Sequence, residues 1–339
     1  MRVALMKLLA FATLCFAFIS ARAEIVSSFD HGSVPEAEAV RAILRQPEAE
    51  MDLAKVKLAI DKIIDPSIDI EANLGQIDEI VNKVRISAGD NPTSAAKVLA
   101  LRQHLYDKGS WNDYRPYQYD FSDPKGTGIA NKLLPQYLKS RKGNCVSMPF
   151  LFIILGQRLG IDLTASTAPE HYFVKYTDPD SGATYNLEAT SGGHPSRDAW
   201  YRQEMPMTDE AIANGIYLQK LTKTETAASM ATVLVEHFAE QGEYKKVIAI
   251  ADAILPFYPK DIALILWKGI APARLIKKHF LQKYPNPNLI PPEERPYFHY
   301  LSEQNHQWFS RAEALGWRES DPSRAARYMQ IINRIKTAK

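Results

Sequence analysis

Cysteine is nearly absent from this chain: 2 residues in 339, Cys15 and Cys145. That count excludes a disulfide-built scaffold. It also disfavours zinc, because the scattered histidines show no ligand spacing. Neither sign of charge is in excess, with 41 Lys and Arg against 39 Asp and Glu. No basic field of the kind that draws nucleic acid is present. Past the first 23 residues no apolar run reaches the roughly 20 residues that a membrane span requires. Low-complexity segments are lacking as well, and 46% hydrophobic with 24% charged residues is ordinary for a globular protein.

What is present begins at the N-terminus, which reads MRVALMKLLAFATLCFAFISARAE. Arg2 and Lys7 give a basic start, residues 8–19 are apolar, and Ala21-Arg22-Ala23 is an A-x-A pattern. This is the layout of a secretory signal peptide over 1–23, cleaved after Ala23. A lipid-anchor reading would use Cys15, but Leu14 stands where a small residue belongs. The expected mature protein is periplasmic or secreted and has no membrane span. Removing Arg2, Lys7 and Arg22 leaves 38 basic and 39 acidic residues in a mature chain of 316, enough for two domains. Cys15 leaves with the signal, so Cys145 stands alone. An odd cysteine in an exported protein implies an intermolecular bridge or a free reactive thiol. The plainer alternative is a packed thiol acting as a small hydrophobe.

From Pro35 to about Leu105 the pattern is helical. DLAKVKLAIDKII places Leu53, Val56, Ala59 and Ile63 on one face, and IEANLGQIDEIVNKVR does the same with Leu74, Ile77, Ile80 and Val81. Asp65-Pro66-Ser67 separates the two. Residues 108–128 are aromatic and turn-rich and predict an ordered surface loop. NKLLPQYLKSRKG predicts a short helix ending at Gly143. A second helix opens near Cys145, tolerates Pro149 in its first turn, and is apolar all round, the mark of a buried central helix. After Gly160 the character turns to strand. DLTASTAPEHYFVKYT and ATYNLEATSGG predict at least two antiparallel strands across the Asp178–Gly182 turn. Residues 195–225 connect. From Thr226 the chain is helical again. MATVLVEHFAEQGEYKKVIAIADAILPFYPKD has the form of a tetratricopeptide repeat, with Gly242 in its turn and Pro259 at its end. Such a tail needs neighbours to bury its faces.

Three chemically capable residues follow in order: Cys145 at a helix start, His171 on the first strand and Glu188 on the second. A thiolate is the sulfur nucleophile, and the N–H groups at a helix start favour it. A histidine must move the proton, and a carboxylate or amide must hold its other nitrogen. Adjacent antiparallel strands can bring 171 and 188 together. Asn186, on the same face two positions earlier, competes with Glu188 for that task. Backbone N–H groups near Cys145 would receive an oxyanion. Each residue also has an ordinary reading: a core thiol, a structural strand histidine, a surface carboxylate. Gly192-Gly193 reads as a turn, and His194 as solvent-facing.

The order and context of these residues resemble the transglutaminase-like superfamily, with its papain-like Cys–His–Asp core, and more closely its SirB-like bacterial branch, which adds a tetratricopeptide-like tail. The matching stretches are DLAKVKLAIDKIIDPSIDIEANLGQIDEIVNKVR, NKLLPQYLKSRKGNCVSMPFLFIILGQRLGI, APEHYFVKY and YNLEATSGG, over roughly residues 50–193, with the tail extending to about 262. The resemblance implies an α+β fold: a helical N-terminal subdomain and papain-like core with a small antiparallel sheet over 35–225, then an all-α tail over 226–335. It implies a cysteine-dependent acyl-transfer enzyme acting on peptide or protein amides through a Cys145 thioester, with catalytic residues Cys145, His171 and Glu188 and with no metal or organic cofactor. Two departures bear on this. Many members of that branch lack the cysteine that is present here. The third residue is usually Asp, whereas Glu188 is one methylene longer. The rival expectation is an inactive scaffold that binds a protein partner through its tail.

Overall fold

Each of the first helices carries its own start signal. The structure, a computed structural model, describes residues 34–124 and 126–319. The expected signal peptide and residues 320–335 of the expected tail lie outside the described residues. Helix α1 (Pro35–Leu44) begins on proline, whose missing N–H would have no helical partner there. Helices α2 (Leu53–Ile64) and α3 (Ile70–Ala88) are capped by Asp52 and Asp69, whose carboxylates accept from first-turn N–H groups. Thr93 does the same for α4 (Ser94–Tyr106). Of the residues expected on the inward faces, Leu53, Val56, Leu74, Ile77 and Val81 are buried, and Ala59, Ile63 and Ile80 are half-buried.

The central helix α6 (Ser147–Arg158) is preceded by a short α5 (Leu134–Ser140). Every residue from Ser147 to Gly156 is buried. The Gln157 amide fixes its far end to the start of α2, accepting from Leu53 N–H at 2.8 Å and donating to the Met51 carbonyl at 2.7 Å. Helix α5 ends at Ser140, earlier than the expected Gly143, because Arg141 takes a left-handed conformation at φ 57°. The next two residues, β2 (Lys142–Gly143), instead pair in parallel with β1 (Gln118–Tyr119) in the aromatic loop.

Four strands form one antiparallel sheet in chain order: β3 (Leu163–Ala168), β4 (His171–Thr177), β5 (Thr184–Glu188) and β6 (His194–Ser196). The stretch DLTASTAPEHYFVKYT, continuous in character, is two strands. Pro169 cannot donate to a ladder, and Glu170 at φ 60° reverses the chain so that Ala168 faces His171. Helices α7 (Asp198–Glu204) and α8 (Asp209–Ala213) follow, then α9 (Lys223–Glu240), α10 (Tyr244–Ile254), α11 (Ile262–Ile276) and α12 (Arg295–Ala314). The chain is therefore α+β, with helices on both sides of a small sheet.

The last four helices do not stand apart. Helix α9 opens on a Thr222/Glu225 capping box. Thr226 Oγ1 accepts from the Ala165 N–H of β3 at 3.2 Å, Thr232 meets the Tyr172 hydroxyl at 3.4 Å, and Glu236 pairs with Lys132. Helix α10 lies against α1, where Lys246 reaches Glu36 at 2.9 Å. The boundary expected at 226 thus falls inside a helix that belongs to the common core. Among the described residues no helix is long and apolar enough to cross a membrane.

Candidate active site

Cys145 sits between β2 and α6, at a junction built by its neighbours. Asn144 is buried and its Oδ1 accepts from the N–H of Val146 at 2.9 Å and of Ser147 at 3.2 Å. Ser147 Oγ accepts from the Asn144 N–H at 3.1 Å in return. This reciprocal pair starts α6 and holds Cys145 in the bend between its two members. Gly143 is required on space alone, since a Cβ there would lie 2.6 Å from both the Tyr137 ring and Ser147 Oγ. On the other side the Asp120 N–H donates to the Gly143 carbonyl at 2.7 Å, so the aromatic loop runs beside the thiol. Cys145 is free and half-buried, with Sγ 3.9 Å from the Glu170 carbonyl. Among the described residues, the Cys145 N–H and the buried Asn144 Nδ2 have no acceptor.

His171 opens β4 and Glu188 closes β5. The ladder pairs Val174 with Leu187 and Lys175 with Asn186, so Glu188 lies opposite Phe173 and diagonal to His171 on one face. His171 Nε2 lies 2.8 Å from Glu188 Oε2, and the two side chains are 9% and 5% exposed. Nε2 is so engaged, and the Cys145 sulfur comes to the carbonyl of the preceding residue, Glu170, at 3.9 Å. Burial disfavours a charged His171, but the Glu188 carboxylate, followed by the Cys145 sulfur, outweighs it and pushes the imidazole up to about 10. Burial likewise opposes the Glu188 charge. The His171 imidazolium and the Thr190 donors overcome it and hold the carboxyl below its ordinary range. The ring therefore stands with a fixed negative charge behind it.

The carboxylate has more partners than its sequence context shows. Its Oε1 accepts from the Thr190 N–H at 3.0 Å and from Thr190 Oγ1 at 2.5 Å, and its Oε2 accepts also from the Tyr201 hydroxyl at 2.9 Å. Asn186, on the same face, is engaged by other partners: its Oδ1 accepts from Lys175 Nζ at 2.7 Å, and its Nδ2 donates to Asp198 at 2.6 Å. His194 is exposed and lies 2.9 Å from Arg102. Gly192 and Gly193 both adopt positive φ. At Gly193 a Cβ would come within 3.2 Å of Tyr106 and Phe152, which lets the turn lie close on α4 and α6. No three His, Cys, Asp or Glu among the described residues form a group able to hold a metal ion.

Sequence reasoning passed over Asn144, Thr190 and Tyr201. The first two left a signal: Asn-x-x-Ser before an apolar run is a capping pattern, and Glu-x-Thr at a strand end is a local side-chain turn. Tyr201 left none, because its position beside Glu188 depends on how α7 returns to the sheet.

Comparison with known proteins bears on this region. Residues 71–231 match the family model described as Transglutaminase-like superfamily. A UPF0162 protein of Xylella fastidiosa (strain Temecula1 / ATCC 700964) is 23% identical over 233 residues, covering 64% of this chain and 79% of that protein. A UPF0162 protein of Vibrio cholerae serotype O1 (strain ATCC 39315 / El Tor Inaba N16961) is 20% identical over 223 residues, covering 62% of this chain and 75% of that one. No solved structure matches.

Proposed function

Since the chain carries a transglutaminase-like superfamily domain over residues 71–231, we propose that it is an exported, cysteine-dependent acyl-transfer enzyme acting on peptide or protein amides. One observation carries the reading: Glu188 lies 2.8 Å from His171 Nε2, and the Cys145 sulfur comes within 3.9 Å of the carbonyl of Glu170, the residue just before that histidine. Held protonated, His171 favours the thiolate. The thiolate adds to the amide carbonyl, and the oxyanion is met by the Cys145 N–H. His171 gives its proton to the departing amine, leaving a thioester on Cys145. Water then adds to the thioester as His171 takes up its proton, and collapse releases the carboxylic acid and the thiolate. With an amine as acceptor the same steps give transamidation. Hydrolysis is the favoured outcome, because water is always available as acceptor and the sequence carries no legible amine-binding feature. The helices after α9 would hold the protein or peptide substrate in the manner of a tetratricopeptide array.

The test is iodoacetamide labelling of Cys145 across pH in the folded protein, recovered from the export compartment of a bacterial host, where its intact mass should begin at Glu24. Labelling should proceed well into the acid range, and His171→Ala should slow it at least about ten-fold near pH 6. A thiol that labels only after unfolding would leave the scaffold reading in place of the enzyme. A mass that includes residues 1–23 would remove the export.

A further inference from the structure

The Glu188 carboxylate is held by groups that no catalytic triad requires. Oε2 is shared between His171 and the Tyr201 hydroxyl, and Oε1 is filled by two Thr190 donors. Tyr201 is fully buried, with its ring stacked on Phe173 at 4.1 Å between centroids. Its helix is tied to the sheet through Asp198, which accepts from Asn186 on β5. A phenylalanine would stack as well, so the ring accounts for the packing and the hydroxyl for the contact with Glu188.

We infer that Tyr201 and Thr190 are positioning residues, which keep the Glu188 carboxylate ionised and turned toward His171 and so set the acid end of the range over which Cys145 is reactive. This rests on the proposed pairing of Cys145 with His171. The groups facing Glu188 are His171 from β4, Tyr106 from α4, Tyr201 from α7 and Thr190 in its own turn, with Cys145 acting on His171 and Asp198 on Tyr201 one step further out. Of these only His171 is a cation. Burial, followed by the Glu188 charge itself, keeps the Tyr106 and Tyr201 phenols protonated, so Tyr201 remains a donor throughout. A buried carboxylate that loses a donor is costlier to keep charged and takes up a proton at higher pH. Once Glu188 is neutral, His171 loses the charge that holds its proton, and the thiolate goes with it.

The experiment compares the rate of Cys145 labelling by iodoacetamide between pH 4 and 9 in the parent protein, Tyr201→Phe and Thr190→Val. Each variant should move the acid limb up by about one pH unit, or about ten-fold slower labelling at pH 5, with the alkaline plateau unchanged. A limb that stays put in either variant overturns the role of the residue removed, as does a uniform slowing without a shift, which is what packing damage gives. If Tyr201→Phe does not fold, its hydroxyl is structural and its positioning role falls, while Thr190→Val decides the other. A parent thiol inert at every pH sinks the catalytic pairing and this inference together. A reactive parent with unmoved variants sinks this inference alone.

Discussion

At Glu188 four hydrogen bonds converge, and all four partners donate. An ionised carboxylate accepts at both of its oxygens and donates at neither. An amide of the same shape turns an NH₂ toward donors on one side. Glu188→Gln should therefore lose about 1–3 kcal/mol of stability in urea unfolding, and should slow Cys145 labelling near pH 6 by at least about ten-fold, since His171 no longer faces an anion. Retained stability would show that the four contacts carry little. The choice between Glu188 and Asn186 was not open to a reading of alternation, because both lie on one face of β5. What separates them is the ladder register and the position of Asp198, which draws Asn186 away. Residue type and order announced Cys145, His171 and Glu188. The donors around the carboxylate came from a helix whose return path no local pattern encodes.

On the scale of one element, α6 was the most legible part of the chain. A run apolar on every side can only be a buried helix, and it is buried throughout its first ten residues. Its N-terminus is the sensitive point, because Asn144 satisfies two of the N–H groups that a helix start leaves open. Asn144→Ala should cost about 1 kcal/mol in urea unfolding and should slow Cys145 labelling at neutral pH several-fold by loosening the bend that carries the thiol. Unchanged labelling with lowered stability would separate the cap from the site. The parallel pairing of Gln118–Tyr119 with Lys142–Gly143 was not legible, for two residues are too few to show a period. The break at Pro169-Glu170 had its proline in plain view, but alternation on both sides of it reads as one strand.

Two buried histidines oppose each other in the molecule as a whole. His171 holds its proton to about pH 10, while in the unfolded chain it titrates near 6.5. Its contribution is whole below 6.5 and is lost as pH rises through 10. His104 is pushed down to about 4, by burial first and then by Lys83 and Arg141. Between 6.5 and 4 the unfolded chain takes up a proton that the folded chain refuses, so stability falls with pH. Burial pushes Asp261 up to about 7, so over the same range the folded chain keeps a proton there that the unfolded chain releases, which offsets His104; the His104 contribution, on the order of 2 kcal/mol between pH 6.5 and 5, is therefore read as the difference between parent and variant. His104→Leu should gain on the parent progressively as pH falls from 6.5 to 5, and His171→Ala should lack the part of the alkaline decline that runs from pH 6.5 to 9. Parent and variant profiles that run parallel from pH 5 to 9 would contradict the assignment of the histidine removed.

The pairing of α1 with α10 fixes an order of events at the ribosome. Glu36 and Lys246 are 210 residues apart. At about 5–20 residues per second, α1 emerges roughly 10–40 s before the helix that covers it. Throughout that interval the nascent N-terminal segment presents Val40 and Leu44, buried in the finished protein, to whatever binds exposed apolar chain.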